Sequence, residues 1–134
     1  MKAPIRFRVL ADTPGEKARQ GLLETPHGAV ETPAFMAVGT RATVKTLDPE
    51  EIRATDCQII LANAYHLALR PGAERIARLG GLHRFMGWDG PLLTDSGGYQ
   101  LFSLAPLARI RDEGIEFQSH LDGTRMRLTP ESVI

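Results

Sequence analysis

The 134-residue chain is poor in cysteine, in net charge and in long apolar runs, and each shortage excludes a class of protein. Its single cysteine, Cys57, can form no internal disulfide and cannot by itself build a thiolate metal site. Sixteen basic residues balance sixteen acidic ones, so the composition does not predict a strongly basic nucleic-acid binder. No apolar run is long enough to cross a bilayer, and no charged-then-apolar leader precedes Pro4, so we expect a cytoplasmic protein without a membrane partner.

The positive charge is carried mainly by arginine, with 13 arginines against 3 lysines. Arginine suits bidentate contacts with phosphate, but GC-rich coding produces the same bias, and both interpretations stay open. The hydrophobic fraction of 43% and the charged fraction of 24% are typical of a globular protein. Because we find no repeat, low-complexity tract or linker, we interpret residues 1–134 as one domain.

Residues 1–31 predict a small antiparallel sheet. Residues 7–11 alternate weakly, and residues 21–31 fold back through His27 and Gly28. Three short apolar runs follow, at residues 34–38, 59–62 and 91–93, and none alternates. Such runs are typical of parallel strands that are buried on both faces.

Two helices are predicted between these runs. The first begins at Asp48, where Pro49 fits the first helical position and Glu51 completes a capping box. The second covers residues 71–79 and ends at Gly80-Gly81. Strands that alternate with helices indicate the α/β class. After the third strand, the alternating residues of segment 115–128 flank Asp122-Gly123, which predicts a β-hairpin insertion.

Thr129-Pro130-Glu131 then repeats the start of a helix, and the chain stops at Ile134. A parallel barrel usually needs about 250 residues. We therefore expect the chain to be an incomplete piece of a barrel domain, with residues 32–134 forming its first strands and helices.

Polar residues follow each apolar run, with Asn63 and His66 after the second and Asp95 after the third. In α/β barrels the carboxyl ends of the strands carry the active site. A carboxylate at a strand end, before Gly97 and Gly98, suits proton transfer or recognition of a polar heterocycle. The alternative is that Asp-Ser-Gly-Gly is only a turn.

His66 is a candidate base or hydrogen-bond donor at the same edge, although a lone histidine is also compatible with a structural role. His27, His83 and His120 lie in turn-like or alternating contexts, and without a second ligand at a known spacing we predict no metal site in this chain. Tyr99 could face a ligand, a partner subunit or the core.

Several motifs resemble the bacterial tRNA-guanine transglycosylases, in order and over nearly the whole chain. They are Leu61-Ala62-Asn63-Ala64-Tyr65-His66-Leu67 with Leu69-Arg70-Pro71-Gly72, Gly80-Gly81-Leu82-His83 with Phe85-Met86-Gly87-Trp88, Leu93-Thr94-Asp95-Ser96-Gly97-Gly98-Tyr99-Gln100, and Ser119-His120-Leu121-Asp122-Gly123. The resemblance implies a partial (β/α)8 TIM barrel, about the first three βα units, preceded by a small antiparallel sheet.

The resemblance also implies an activity. Members of this family exchange guanine at the anticodon wobble position of tRNAs with GUN anticodons for a 7-deazaguanine, on the way to queuosine. Bacterial enzymes insert the aminomethyl precursor preQ1, and eukaryotic ones insert queuine. The reaction passes through a covalent ribosyl ester on an aspartate nucleophile, which divides one difficult displacement into two easier ones.

Roles carry over by position. Asp95 matches the general acid/base and Ser96 its neighbour in the pocket, which Gly97, Gly98 and His66 also border. The residues that match positions lining the pocket near the 7-substituent of the base are Val38, Leu61 and Asn63. Tyr99 matches a contact of the bacterial homodimer, and Lys45 is placed near that surface. Ala64 departs from the usual threonine, and we expect it to enlarge the pocket.

In this family the nucleophilic aspartate and the zinc ligands, three cysteines and a histidine, lie beyond the position that matches Ile134. We therefore expect this chain to bind no zinc and to be inactive by itself. Two alternatives remain open: a non-catalytic accessory subunit or truncated remnant of the same family, and an unrelated barrel enzyme that uses Asp95 and His66.

Overall fold

The computed structural model describes residues 5–104 and 108–133, which form an α/β architecture with three three-stranded sheets. The first sheet is antiparallel and consists of β1 (Arg6–Asp12), β2 (Arg19–Thr25) and β3 (Gly28–Thr32), adjacent in that order. The turn between β2 and β3 contains His27, so the predicted antiparallel sheet is confirmed for the described residues, and residues 1–4 lie outside them.

The second sheet is parallel and provides the frame of the candidate site. Its strands are β4 (Ala37–Gly39), β5 (Ile60–Ala62) and β6 (Leu92–Thr94), with β5 in the centre. The three predicted parallel strands are thus confirmed. The first begins three residues later than expected, because residues 34–36 connect β3 to β4 and Phe35 is 82% exposed.

The prediction that these strands are buried on both faces is wrong for the described part of the chain. Val38, Leu61 and Leu93 are paired side by side and share one face of the sheet, since side chains alternate along a strand. Val38 is 54% exposed and Leu93 is also exposed, whereas Ile60 and Ala62 on the opposite face are buried. Only the face that packs against the helices is covered.

The predicted capping box begins helix α1 (Pro49–Ala54). The Asp48 carboxylate accepts from the Glu51 backbone N–H at 2.8 Å, and the Glu51 carboxylate accepts from the Asp48 N–H at the same distance. Helix α2 (Ala64–Leu69) directly follows β5 and was not predicted by the apolar pattern. It is too short for the periodicity of a helix to stand out.

Helix α3 (Ala73–Arg78) begins two residues later than predicted, because Gly72 has a φ of 94° that a right-handed helix cannot contain. It ends before Gly80 and Gly81, as expected. Helix α4 (Leu82–Met86) then leads to β6, and α5 (Gly98–Leu104) follows the Asp95 loop. The sequence did not predict α5, because glycine at its start disfavours a helix.

The third sheet contains the predicted hairpin, β8 (Gly114–Gln118) and β9 (Arg125–Leu128), and a further edge strand, β7 (Arg109–Arg111), that the sequence did not predict. Helix α6 (Pro130–Val133) starts where Thr129-Pro130 predicted it. The hairpin packs on α2 and α5 through one apolar cluster, which contains Tyr65, Leu101, Phe117, Leu69, Ala108, Ile115, Met126 and Leu128. This packing places the hairpin turn beside the carboxyl end of the parallel sheet.

None of the helices within residues 5–104 and 108–133 has the length and apolarity needed to cross a membrane. The boundary between residues 31 and 32 stays a prediction, as does closure of the three parallel strands into a barrel.

Candidate active site

Asp95 lies immediately after β6, at the carboxyl edge of the parallel sheet. Its backbone N–H donates to the Ala62 carbonyl at 3.2 Å, which continues the pairing of β6 with β5 by one residue. The half-buried side chain of Asp95 is therefore placed next to the start of α2. Sequence reasoning predicted this edge as the site, and the sheet does bring the ends of β5 and β6 together.

Both carboxylate oxygens of Asp95 accept hydrogen bonds from the start of α2. The Asn63 side-chain amide donates to Oδ2 at 2.5 Å, and the Ala64 backbone N–H donates to Oδ1 at 2.8 Å. Asn63 is only 6% exposed, and its own Oδ1 accepts from the His66 backbone N–H at 3.1 Å. Asn63 thus caps α2 with one atom of its amide and holds Asp95 with the other.

The loop after Asp95 is tied to the same helix through Gly97. This glycine is buried with φ at +69°, and a Cβ added there would lie 2.9 Å from Tyr65 Cβ and 3.0 Å from Tyr65 N. Ser96 is exposed, and its hydroxyl accepts from the Gly98 N–H at 3.3 Å, at the start of α5. The site has a carboxylate, a hydroxyl and an amide on backbone that is fixed at both ends of the loop.

Tyr65 connects this loop to the hairpin. Its side chain is fully buried, and its hydroxyl lies 2.9 Å from His120 Nδ1, with the two rings stacked at an interplanar angle of 15°. Burial raises the pKa of the Tyr65 phenol, so the hydroxyl keeps its proton. The Tyr65 phenol is therefore a neutral hydrogen-bonding group that is buried beneath the candidate site.

His66 lies beside Tyr65 and is half-buried. Burial lowers the pKa of its imidazole below the ordinary 6.5, nearby Arg41 and His120 lower it further, and the Asp95 carboxylate opposes them. Its Nδ1 is buried and has no hydrogen-bond partner among the described residues. His66 is thus present as a neutral imidazole, which fits a base or hydrogen-bonding group as well as a packed side chain.

Replacing Arg41 with glutamine should raise the pKa of His66, because it removes a positive charge that disfavours the imidazolium. Because the folded state favours the neutral ring, protonation of His66 destabilises the folded protein as the pH falls below 6.5. Above pH 6.5 the ring is neutral in both the folded and unfolded states, and no such loss of stability occurs. A titration of the His66 ring protons by NMR measures the shift. Arg75→Gln, on the exposed surface of α3, should leave that titration unchanged, and an unchanged pKa in Arg41→Gln would contradict the assignment.

Of the remaining predicted residues, Val38, Lys45 and Tyr99 are exposed and Leu61 is half-buried. Val38 and Leu61 are adjacent on the uncovered face of the parallel sheet, as residues that line a common pocket need to be. Tyr99 is 77% exposed and Lys45 is exposed as well, which a contact with a second subunit requires. The pocket and dimer roles of these four residues stay predictions.

Two residues close to the site were missed by sequence reasoning. His120 was assigned only to an alternating context, yet it contacts Tyr65, and its ring lies 6.2 Å from that of His66. Arg41 gave no sequence signal and acts on His66 through charge alone. Both come from distant segments, so only the fold brings them together. The sole signal for His120 was its place in the Ser-His-Leu-Asp-Gly motif.

The other two histidines form a pair away from the site. The rings of His27 and His83 stack with centroids 3.7 Å apart, and they bond to the carbonyls of Asp89 and Gly90. This contact joins the first sheet to the turn before β6. Across residues 5–104 and 108–133, no three side chains of histidine, cysteine, aspartate or glutamate are grouped so that they could hold a metal ion.

Comparison with known proteins agrees with the motifs that surround Asp95. The family model described as queuine tRNA-ribosyltransferase matches residues 13–134. Proteins of that name from Desulforudis audaxviator and Zymomonas mobilis are 61% identical over 130 residues and 64% identical over 118 residues, covering 97% and 88% of this chain. The matches cover 35% and 31% of those proteins, so the chain spans about a third of their length. The chain belongs to the queuine tRNA-ribosyltransferase family.

Proposed function

We propose that a protein containing this chain, continued to the length of its relatives, exchanges guanine at the tRNA wobble position for a 7-deazaguanine such as preQ1. Membership of the family supports tRNA as the substrate. The observation that carries the proposal is the Asp95 carboxylate, held at the carboxyl edge of the parallel sheet by Asn63 and the Ala64 N–H. We also propose that β4, β5 and β6 are the first three strands of a (β/α)8 barrel.

In this mechanism Asp95 moves the proton that base exchange requires. When the glycosidic bond breaks, its electrons remain on the departing guanine, which then needs a proton, and the carboxyl group of Asp95 donates it. The incoming base loses a proton as its bond to the ribose forms, and the Asp95 carboxylate accepts it. The carboxylate of an aspartate outside residues 1–134 bonds to the ribose carbon as guanine leaves. This ester bond breaks as the incoming base bonds to the same carbon, and its electron pair returns to that aspartate.

The hydrogen bonds around Asp95 support this role. Asn63 and Ala64 N–H fix the orientation of the carboxylate before the base arrives, and a fixed donor or acceptor loses little freedom during reaction. Ser96 is exposed next to Asp95, and Gly97 lets the loop pack closely on Tyr65. Val38 and Leu61 offer apolar surface on the same sheet for the substituent of the base.

Other parts of the proposal concern the whole protein. We propose a homodimer with Tyr99 and Lys45 at its contact, since both are exposed. A tRNA-modifying enzyme works where its substrate is, so we propose a cytoplasmic location. We propose that any structural zinc is held by residues outside residues 1–134, as the resemblance to the family implies.

The proposal is tested by incorporation of labelled guanine into tRNA with a GUN anticodon. We expect the full-length protein to incorporate the label. Residues 1–134 alone should not incorporate it, because the proposed nucleophilic aspartate lies outside this segment. A tRNA whose wobble base is not guanine is the control and should stay unlabelled. Failure of the full-length protein to label tRNA that it binds would favour a non-catalytic accessory subunit instead.

A further inference from the structure

A single side-chain hydrogen bond links the hairpin turn to the helix that holds Asp95. His120 lies in the turn between β8 and β9, and its Nδ1 is 2.9 Å from the Tyr65 hydroxyl. The His120 ring is exposed, whereas the tyrosine is fully buried. An exposed residue from a distant segment therefore meets a buried side chain of α2 that also packs on the hairpin and lies beside the Asp95 loop.

Tyr65 is placed so that its position affects Asp95 from two directions. Its backbone lies in the first turn of α2, directly after Asn63 and Ala64, the two residues that donate to the carboxylate. Its backbone N and Cβ also lie against Gly97, two residues beyond Asp95. A displacement of Tyr65 would therefore disturb both the donors to the carboxylate and the loop that carries it.

Apolar packing does not by itself fix that position. Phe117, Leu101 and Tyr65 form one cluster, which explains why the hairpin packs on α2 at all. Burial of apolar surface is non-directional, however, and it tolerates small rotations of a ring. The hydrogen bond between the Tyr65 hydroxyl and His120 Nδ1 has a preferred distance and angle, so it specifies where the end of the tyrosine ring lies.

We propose that His120 is a positioning residue for base exchange, which acts through Tyr65 to hold Asn63 and Asp95 in their reactive arrangement. The inference rests on the proposed function. It adds a residue from the hairpin insertion to a site that is otherwise built from the ends of β5 and β6.

The test compares His120 variants of the full-length protein in the guanine-exchange assay. His120→Ala should lower kcat about tenfold and change the KM for tRNA less than about twofold, because misplacement of a reacting group by a fraction of an ångström affects the transition state more than binding. His120→Asn should restore most of the rate, since its amide reaches the position of Nδ1 and can donate or accept. His120→Gln places its amide at the position of Nε2 and should not restore it.

Two further variants separate positioning from a general structural effect. Tyr65→Phe keeps the buried ring and removes only the hydroxyl, so it should match His120→Ala, and the double variant should be no slower than either. His27→Ala removes another exposed, stacked histidine far from Asp95 and should keep the wild-type kcat.

Wild-type kcat in His120→Ala, equal rates for the asparagine and glutamine variants, or additive losses in the double variant would each overturn the inference. These results are distinct from failure of the proposed function, in which the wild-type full-length protein itself exchanges no guanine.

Discussion

Replacing Asp95 with asparagine should lower the rate of guanine exchange by about 10²–10⁴-fold, the range typical of a lost general acid/base. Asparagine has nearly the same shape, but it can neither donate nor accept the proton that the departing and incoming bases require. One hydrogen bond is also lost, because the new NH2 group would face the Asn63 amide, which donates to Oδ2 in the wild type. That loss should destabilise the fold by about 1–3 kcal/mol, because it leaves the buried Asn63 amide without an acceptor.

The measurement is single-turnover incorporation of labelled guanine into tRNA, with thermal melting as the check on folding. Asp56→Asn is a matched control: Asp56 is exposed on the loop after α1 and has a φ of 59°, which asparagine also tolerates. It should exchange guanine at the wild-type rate. A rate in Asp95→Asn that is within a factor of two of the wild type would remove Asp95 from the chemistry.

The largest effect on stability is expected from Gly97→Ala, which should reduce the free energy of unfolding by about 2–4 kcal/mol. Two penalties combine at this position. Alanine at a φ of +69° is strained, and its Cβ would lie 2.9–3.0 Å from the backbone and Cβ of Tyr65, which cannot move without shifting α2. Because that helix donates to Asp95, guanine exchange should fall as well.

Two other glycines allow these penalties to be separated by denaturant unfolding. Gly123 has a φ of +72° with nothing within 4 Å of the added Cβ, so Gly123→Ala should show only the backbone strain, about 1–2 kcal/mol. Gly98 has no positive φ, and its Cβ would meet only the Ser96 hydroxyl at 3.4 Å, so Gly98→Ala should stay within about 0.5 kcal/mol of the wild type. Equal losses for Gly97→Ala and Gly123→Ala would show that contact with Tyr65 does not matter.

Local sequence signals predicted much of the fold, because the features concerned depend on neighbouring residues. The capping box at Asp48 and the turn at Asp122-Gly123 were both confirmed, as were the three apolar runs that form parallel strands. Strand bounds were less certain, since Phe35 belongs to an apolar run but lies outside the sheet. Apolar character alone does not show whether a residue is hydrogen-bonded to a neighbouring strand.

The candidate site was predictable only in part. Asp95 and Asn63 could be placed at one edge, because both follow apolar runs and parallel strands end on the same side. That Asn63 donates directly to Asp95, and that His120 reaches Tyr65 over 55 positions of sequence, depends on packing between distant segments. No pattern within a short window contains this information, and the roles of the individual residues came from the resemblance to a family.

The proposed chemistry requires above all that the Asp95 carboxylate faces the purine base during exchange. A crystal structure of the full-length protein with guanine bound tests it directly. We predict that the base lies against the carboxyl edge of β5 and β6, with an Asp95 oxygen within about 3.2 Å of a ring nitrogen. Guanine bound at another place, with Asp95 still bonded to Asn63 and Ala64 and remote from the ring, would contradict it.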